Sequence, residues 1–272
     1  MKNGSTISCA RFLYFTEFKV LTMEHKKIFE CNIYSHEMDY HGYYPPASMH
    51  RLCNSSYFGC MRENGLPYPA IRSKINATHM VGMADLHILK PIQVLNEKQS
   101  IELYSLPMMR SKGVFMARVF AVLNGEILAM MNQVSMIVSM ETRKVLPTDY
   151  ICEAMGTDIM RTTIGAPRRL QLPEDMELVR EEVVQYRECD INRHMNTGKY
   201  IDRICEVLGY WEGDLKIMNR LRIEFQKEVV PGDVLGIYVK RSVHGWYVKG
   251  VKNGTDVSFK AYVEMKDVEP DA

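Results

Sequence analysis

The sequence predicts an α+β fold built from two similar halves, each a five-stranded antiparallel sheet wrapped around one long helix. Three observations carry this expectation. A strand–turn–helix unit occurs twice, strand-like runs of period two follow each helix, and an Asn-Gly pair falls at the same place in each half. A chain of 272 residues also fits about two domains. Its 46% apolar and 25% charged residues are ordinary for a globular protein.

Residues 1–26 are expected to be a disordered N-terminal extension, of which 1–22 fit nothing downstream and are either a disordered segment or an upstream start-codon artefact. The first repeat domain is expected over 27–147. It opens with a strand-like run, Ile28 to Tyr34, and then the stretch His36-Glu-Met-Asp39. Pro45 and Pro46 start a helix whose apolar face is Met49, Leu52, Cys53, Tyr57, Cys60 and Met61, and Gly65 stops it. Strand-like segments follow at Met80–Ile92, Ser100–Met109, Val114–Leu123 and Glu126–Lys144. Asn124-Gly125 joins the last two, because both residues tolerate positive φ. Residues 148–177 carry Pro167 and Pro173 with little periodicity and are expected to be a linker.

The second domain is expected over 178–268. Val179–Tyr186 is its first strand, and Tyr200, Ile201, Ile204, Cys205 and Leu208 form the helix face, closed by Gly209. Strands follow at Ile217–Val229, Val234–Val243, Trp246–Lys252 and Thr255–Met265, with Asn253-Gly254 between the last two. The two stretches agree at Asp39/Asp190 and, after one gap, at Arg51-Leu52-Cys53/Arg203-Ile204-Cys205. One helix and five antiparallel strands bury both apolar faces when the sheet curls around the helix. That arrangement resembles the hotdog fold, and two in tandem resemble a double hotdog.

Composition narrows the function. Lys plus Arg is 34 and Asp plus Glu is 33, so no basic excess points to nucleic acid. Seven scattered cysteines without a C-x-x-C read as reduced thiols, hence a cytoplasmic protein. The longest apolar stretch, Ala121 to Met140, is interrupted by Asn124, Glu126, Asn132 and Gln133 and alternates like strands, so no membrane span is expected. The sequence has no P-loop, dinucleotide fingerprint or zinc-ligand spacing, so no cofactor and no metal is expected; no G-x-S-x-G nucleophile elbow occurs either.

Reactive groups concentrate in the second repeat. Asp190, Asn192 and His194 alternate just before a helix, so on an extended segment they would point to one side, beside a positive helix end that can stabilise an oxyanion. The plainer alternative is that Asp190 or Asn196 caps the helix and His194 lies on its surface. In Leu221–Val229, Leu221, Ile223, Phe225 and Val229 share one face, and Arg222, Glu224, Gln226 and Glu228 share the other. That second face is a solvated polar row, or it ends in a general base, Glu228. In an ungapped alignment His41 and Tyr43 stand opposite Asn192 and His194, and Pro91 is placed opposite Glu228 at the end of the following strand; Pro cannot act as a base, so a single site in the second half is expected.

Asp190-Ile-Asn-Arg-His-Met-Asn-Thr-Gly-Lys-Tyr200 is similar to the Asp-x-Asn-x-His-x-Asn-Asn-x-Lys-Tyr signature of plant and bacterial acyl-acyl carrier protein (acyl-ACP) thioesterases. Ile223-Glu-Phe-Gln-Lys-Glu228 resembles that family's second signature, and Met140-Glu-Thr-Arg-Lys144 resembles the end of its first domain. The resemblance implies hydrolysis of fatty acyl-ACP, releasing the fatty acid and ending chain elongation in fatty acid biosynthesis. It implies Glu228 as water activator or nucleophile, His194 and Asn192 as positioning groups, and Asp190 as their orienting partner. It also implies that the first half shapes an acyl tunnel, for which its many Met residues, Met108, Met109, Met116, Met130, Met131 and Met136 among them, are suited, although most read as core. Thr197 departs from the signature's second Asn, and Val229 stands where plant enzymes carry Cys, which leaves the Glu-based chemistry. An acidic carrier protein calls for basic docking residues, for which Arg143-Lys144, Arg168-Arg169 and Lys240-Arg241 are candidates. An acyl-coenzyme A thioesterase of the same fold and a non-catalytic acyl-binding regulator are the alternatives, and a homodimer stays open.

Overall fold

A computed structural model describes residues 26–93, 98–162, 167–210 and 216–267. The expected extension, but for Lys26, lies outside them. Among the described residues the chain runs β1 (Lys26–Tyr34), α1 (Pro46–Glu63), α2 (Tyr68–Ile75), β2 (Ala77–Ile88), β3 (Lys98–Ser105), β4 (Met109–Ser111), β5 (Val114–Leu123) and β6 (Glu126–Ser139). It continues with α3 (Thr148–Met155), β7 (Met160–Arg161), β8 (Glu177–Val183), α4 (Thr197–Val207), β9 (Lys216–Phe225), β10 (Val234–Arg241), β11 (Trp246–Lys252) and β12 (Asp256–Asp267).

The main strands form one sheet in the order β1-β3-β5-β6-β2-β9-β12-β11-β10-β8. Reading outward from the β2–β9 seam, the two halves of that order correspond strand for strand. This is an α+β double hotdog. The halves are joined by antiparallel pairing of Met83–His87 with Arg220–Glu224. Across the seam Arg220 donates from Nε and Nη2 to the two carboxylate oxygens of Asp85 at 3.1 and 3.2 Å, and His87 Nε2 lies 3.1 Å from the same carboxylate.

Each helix is bounded by the residues that the sequence offers. Pro45 is the N-cap of α1, with Pro46 in its first turn, where a missing N–H costs nothing. Asn196 caps α4, its Oδ1 accepting from Gly198 N at 3.0 Å. Both ends close alike: Gly65 and Gly209 adopt φ of +77° and +65°, and Leu66 and Tyr210 N–H return to the Met61 and Cys205 carbonyls. On α1, Met49, Cys53, Tyr57, Cys60 and Met61 are buried while Leu52 is partly buried; on α4, Tyr200, Ile201, Ile204 and Cys205 are buried. Both helix faces enter one core with the sheet's inner face.

The repeat holds in finer detail than the sequence suggested. Asp39 N donates to Tyr43 O, Gly42 N to Asp39 O, and His41 N to Asp39 Oδ1. Asp190 N donates to His194 O, Arg193 N to Asp190 O, and Asn192 N to Asp190 Oδ1 in the same way. Before each turn a carboxylate, Glu37 or Glu188, accepts from the backbone N–H of Tyr34 or Gln185. The spacing stays unbroken into the helices, so no gap is needed: Asp202, not Arg203, stands opposite Arg51. Arg203 is buried and paired with Glu188, whereas Arg51 donates to Ser48 Oγ.

Two helices went unread in the sequence. α2 follows Pro67 and buries only Ile71, and α3 lies inside the expected linker with Ile151, Cys152 and Met155 inward. Further along, residues 168–170 bond to the outer face of β9, Arg168 O accepting from Arg222. Leu170 N donates to Glu224 Oε1 at 2.8 Å, so Glu224 is buried rather than solvated. Of the methionines expected to suit a tunnel, Met108 and Met131 are core, and Met116 joins Met83 and Val134 in a small separate cluster.

Candidate active site

The 190–194 segment is a tight turn, not an extended run. Arg193 takes φ +67°, and the Asp190 carboxylate is turned back on the Asn192 N–H at 2.8 Å, with Asn196 Nδ2 3.5 Å from its other oxygen. Asp190 therefore fixes the turn, and Asn196 rather than Asp190 caps α4. The Gly198 N–H, one first-turn donor that the sequence offered to an oxyanion, is taken by that cap. Asn192 is exposed; His194 is half-buried, its Nδ1 3.5 Å from the Met195 carbonyl.

Glu228 reaches this turn through the backbone. β9 ends at Phe225, and the Gln226 and Lys227 N–H groups both point to Ser258 O, at 2.7 and 3.1 Å. This double donation is a bulge that breaks the strand's alternation before Glu228. Ser258 Oγ closes it by donating to Lys227 O at 3.0 Å. Met195 N then donates to Val229 O at 2.8 Å, which sets the backbones next to His194 and Glu228 against each other at the start of α4. Tyr44 N donates to Ile92 O in the first half, so Pro91 occupies the place of Glu228, as the alignment expected. Tyr200 supports the bulge from α4. It is buried edge-on against Phe225 and Phe259, and burial pushes its phenol up to about 12 although it bonds Ser258 and the Val229 backbone.

Two residues from the first half complete the site. Arg143 Nη2 lies 3.2 Å from both oxygens of Glu228, whose side chain is 38% exposed. Its direction comes from a turn in which Arg143 itself adopts φ +56°, Arg143 N bonds Ser139 O, and Ser139 Oγ accepts from Thr142 N. The sequence marked Arg143 as part of a motif resembling the end of the family's first domain and as a docking candidate; its pairing with Glu228 was not foreseen. Tyr68 at the start of α2 donates from its hydroxyl to Asn192 Oδ1 at 3.2 Å. No sequence signal marked Tyr68, because α2 is short and lacks a strong period.

Below Tyr68 lies a pocket of about 220 Å³ between the end of α1, α2 and β2, lined by Phe58, Met61, Leu66, Tyr68, Ile71 and His79, with Arg62 beside them. None of the six methionines named for a tunnel lines it; Met61 does. Of the other docking candidates, Lys240 pairs with Asp175 at 2.6 Å and Arg241 stacks over Trp246, while Arg168 and Arg169 are exposed. Among the described residues no cluster of His, Cys, Asp and Glu is arranged to hold a metal, and no helix is long and apolar enough to cross a membrane.

Comparison with known proteins agrees with this architecture. Residues 173–268 match the family described as the acyl-ACP thioesterase C-terminal domain. An acyl-ACP thioesterase from Bacteroides thetaiotaomicron superposes with a TM-score of 0.69 at 17% identity, covering 88% of this chain and 97% of that one. The 12:0-ACP thioesterase from Umbellularia californica gives 0.72 at 13% identity, covering 88% and 97%. No curated protein sequence matches the chain. Over residues 173–268 the chain is therefore similar in sequence to the acyl-ACP thioesterase C-terminal domain, and over nearly its whole length it has the fold of solved acyl-ACP thioesterases.

Proposed function

We propose that the protein hydrolyses fatty acyl thioesters at the mouth of α4, with Glu228 as general base. A half-exposed carboxylate admits water. Glu228 takes one proton, and the hydroxide adds to the thioester carbonyl. Collapse of the tetrahedral intermediate breaks the C–S bond, and the proton returns to the departing thiolate. His194 and Asn192 hold the water and the carbonyl, and Asp190 holds the turn that carries them. The single observation that supports this most is the Met195–Val229 backbone bond, which brings the His194 turn and Glu228 together only in the second half. Arg143 orients the carboxylate.

The carrier in this reading is acyl carrier protein. The match of residues 173–268 supports it, and exposed Arg168 and Arg169 supply positive charge for an acidic partner. The acyl chain enters the pocket beneath Tyr68. Thiol release from matched acyl-ACP and acyl-coenzyme A substrates of increasing chain length tests this. Turnover with a higher kcat/KM on the carrier-protein thioester is the expected result; absence of thiol release from every substrate contradicts it.

A further inference from the structure

An Asn side chain has a carbonyl oxygen that only accepts and an amide nitrogen that only donates. Tyr68 donates its hydroxyl to Asn192 Oδ1 at 3.2 Å, so the acceptor end of that amide is taken by a residue of the opposite half. The backbone N–H of Asn192 is held separately, by Asp190 Oδ1 at 2.8 Å. Main chain and side chain are thus fixed by different contacts. Nδ2 remains as the donor of an exposed residue, without a partner among the described residues.

Tyr68 is placed by its neighbours. It opens α2, whose Ile71 is buried and whose Ala70 and Ile75 pack against the core, and Pro67 and Pro69 restrict φ on either side of it. Its ring lines the pocket at the end of α1. A hydrogen bond donated to the amide oxygen also polarises the amide and strengthens Nδ2 as a donor. A thioester carbonyl oxygen only accepts, and it gains negative charge as a nucleophile adds. A donor fixed beside it is therefore worth more in the transition state than in the bound substrate. With Oδ1 turned to the substrate instead, two acceptors would oppose each other.

We propose that Tyr68 is a positioning residue that holds the Asn192 amide with Nδ2 toward the thioester carbonyl, leaving the water to His194 and Glu228. The proposal rests on the thioesterase reading of the site. Steady-state thiol release by the full chain tests it, on whichever acyl-ACP or acyl-coenzyme A substrate the wild type turns over best. Tyr68→Phe removes the hydroxyl and keeps the ring. Its kcat is expected to fall about threefold to tenfold, the worth of one hydrogen bond, with KM within about twofold and wild-type melting. In an Asn192→Ala background the same change is expected to cost nothing further, because the amide it orients is gone. Asn192→Asp keeps an acceptor for Tyr68 but has no amide donor, and is expected to lose as much as Asn192→Ala. Four results overturn the proposal while the thioesterase reading stands: wild-type kcat in Tyr68→Phe, a loss confined to KM, an undiminished loss in the Asn192→Ala background, or wild-type turnover in Asn192→Asp. Absence of thiol release by the wild type from every substrate overturns that reading, and the positioning role with it.

Discussion

Glu228 and Asn192 each receive a side chain from the opposite half of the molecule, Arg143 and Tyr68 respectively. The candidate residues could be named from the sequence through their resemblance to the family's signatures, not through an extended alternation, which the tight turn at 190–194 replaces. Their supports could not be so named. Arg143 reads as one of several basic pairs until a left-handed turn sets it against Glu228, and a left-handed Arg has no sequence signature. The converse holds in the first half. His41 occupies the place of Asn192, and its backbone N–H serves the Asp39 turn just as Asn192 serves Asp190. Its side chain has no Glu opposite, since Pro91 stands there. His41→Ala is therefore expected to retain kcat within about twofold, checked by steady-state thiol release; a collapse of the rate would move the chemistry to the first half.

At the scale of elements, the sheet was legible and the connections were not. β5 and β11 match their expected bounds residue for residue, because period-two runs bounded by turns leave little freedom. Asn124 and Asn253 both take positive φ, as Asn-Gly pairs permit. α2 and α3 escaped because eight residues give barely two turns of periodicity and each buries few side chains. The bulge at Gln226–Lys227 escaped because it breaks the alternation that the strand was read by. It depends on β12 and on the Tyr200–Phe259 ring contact, and Phe259 in turn covers Gly250 on β11. A Cβ at Gly250 would lie 2.1 Å from the Phe259 ring. Gly250→Ala is accordingly expected to cost about 1–3 kcal/mol, the range for overpacking a core. Chemical denaturation checks it, and an unchanged midpoint would show that the ring has somewhere to move.

For the whole molecule, the seam between β2 and β9 makes one sheet from two repeats, and Asp85–Arg220 is its charged clasp. Burial alone would raise the Asp85 carboxyl, but hydrogen bonds from His87 and Arg220 outweigh it and hold it at about 2, below its ordinary 3.8. A carboxyl depressed on folding stabilises fully above its unfolded value and loses that contribution as pH falls through the folded one. The melting temperature is therefore expected to fall between about pH 4 and pH 2, and Asp85→Asn is expected to flatten that acid limb while lowering the plateau. An unaltered acid limb in the variant would place the acid sensitivity elsewhere. The two-fold organisation was readable from Asp39/Asp190 and the matched strand patterns. How the halves meet was not, because Asp85 and Arg220 lie far apart in sequence and each alone is an ordinary outward-facing charge on a strand.

The account turns on His194 and Glu228 acting as one unit across the Met195–Val229 bond. A double-mutant cycle on kcat/KM with an acyl-ACP substrate measures that directly. Glu228→Ala and His194→Ala are each expected to lose roughly 10²–10⁴-fold, the range for a positioned acid–base group. Combining them is expected to cost little more than the worse single change, since groups that act together are strongly non-additive. Losses that multiply in full, or either single variant turning over at the wild-type rate, would contradict the account.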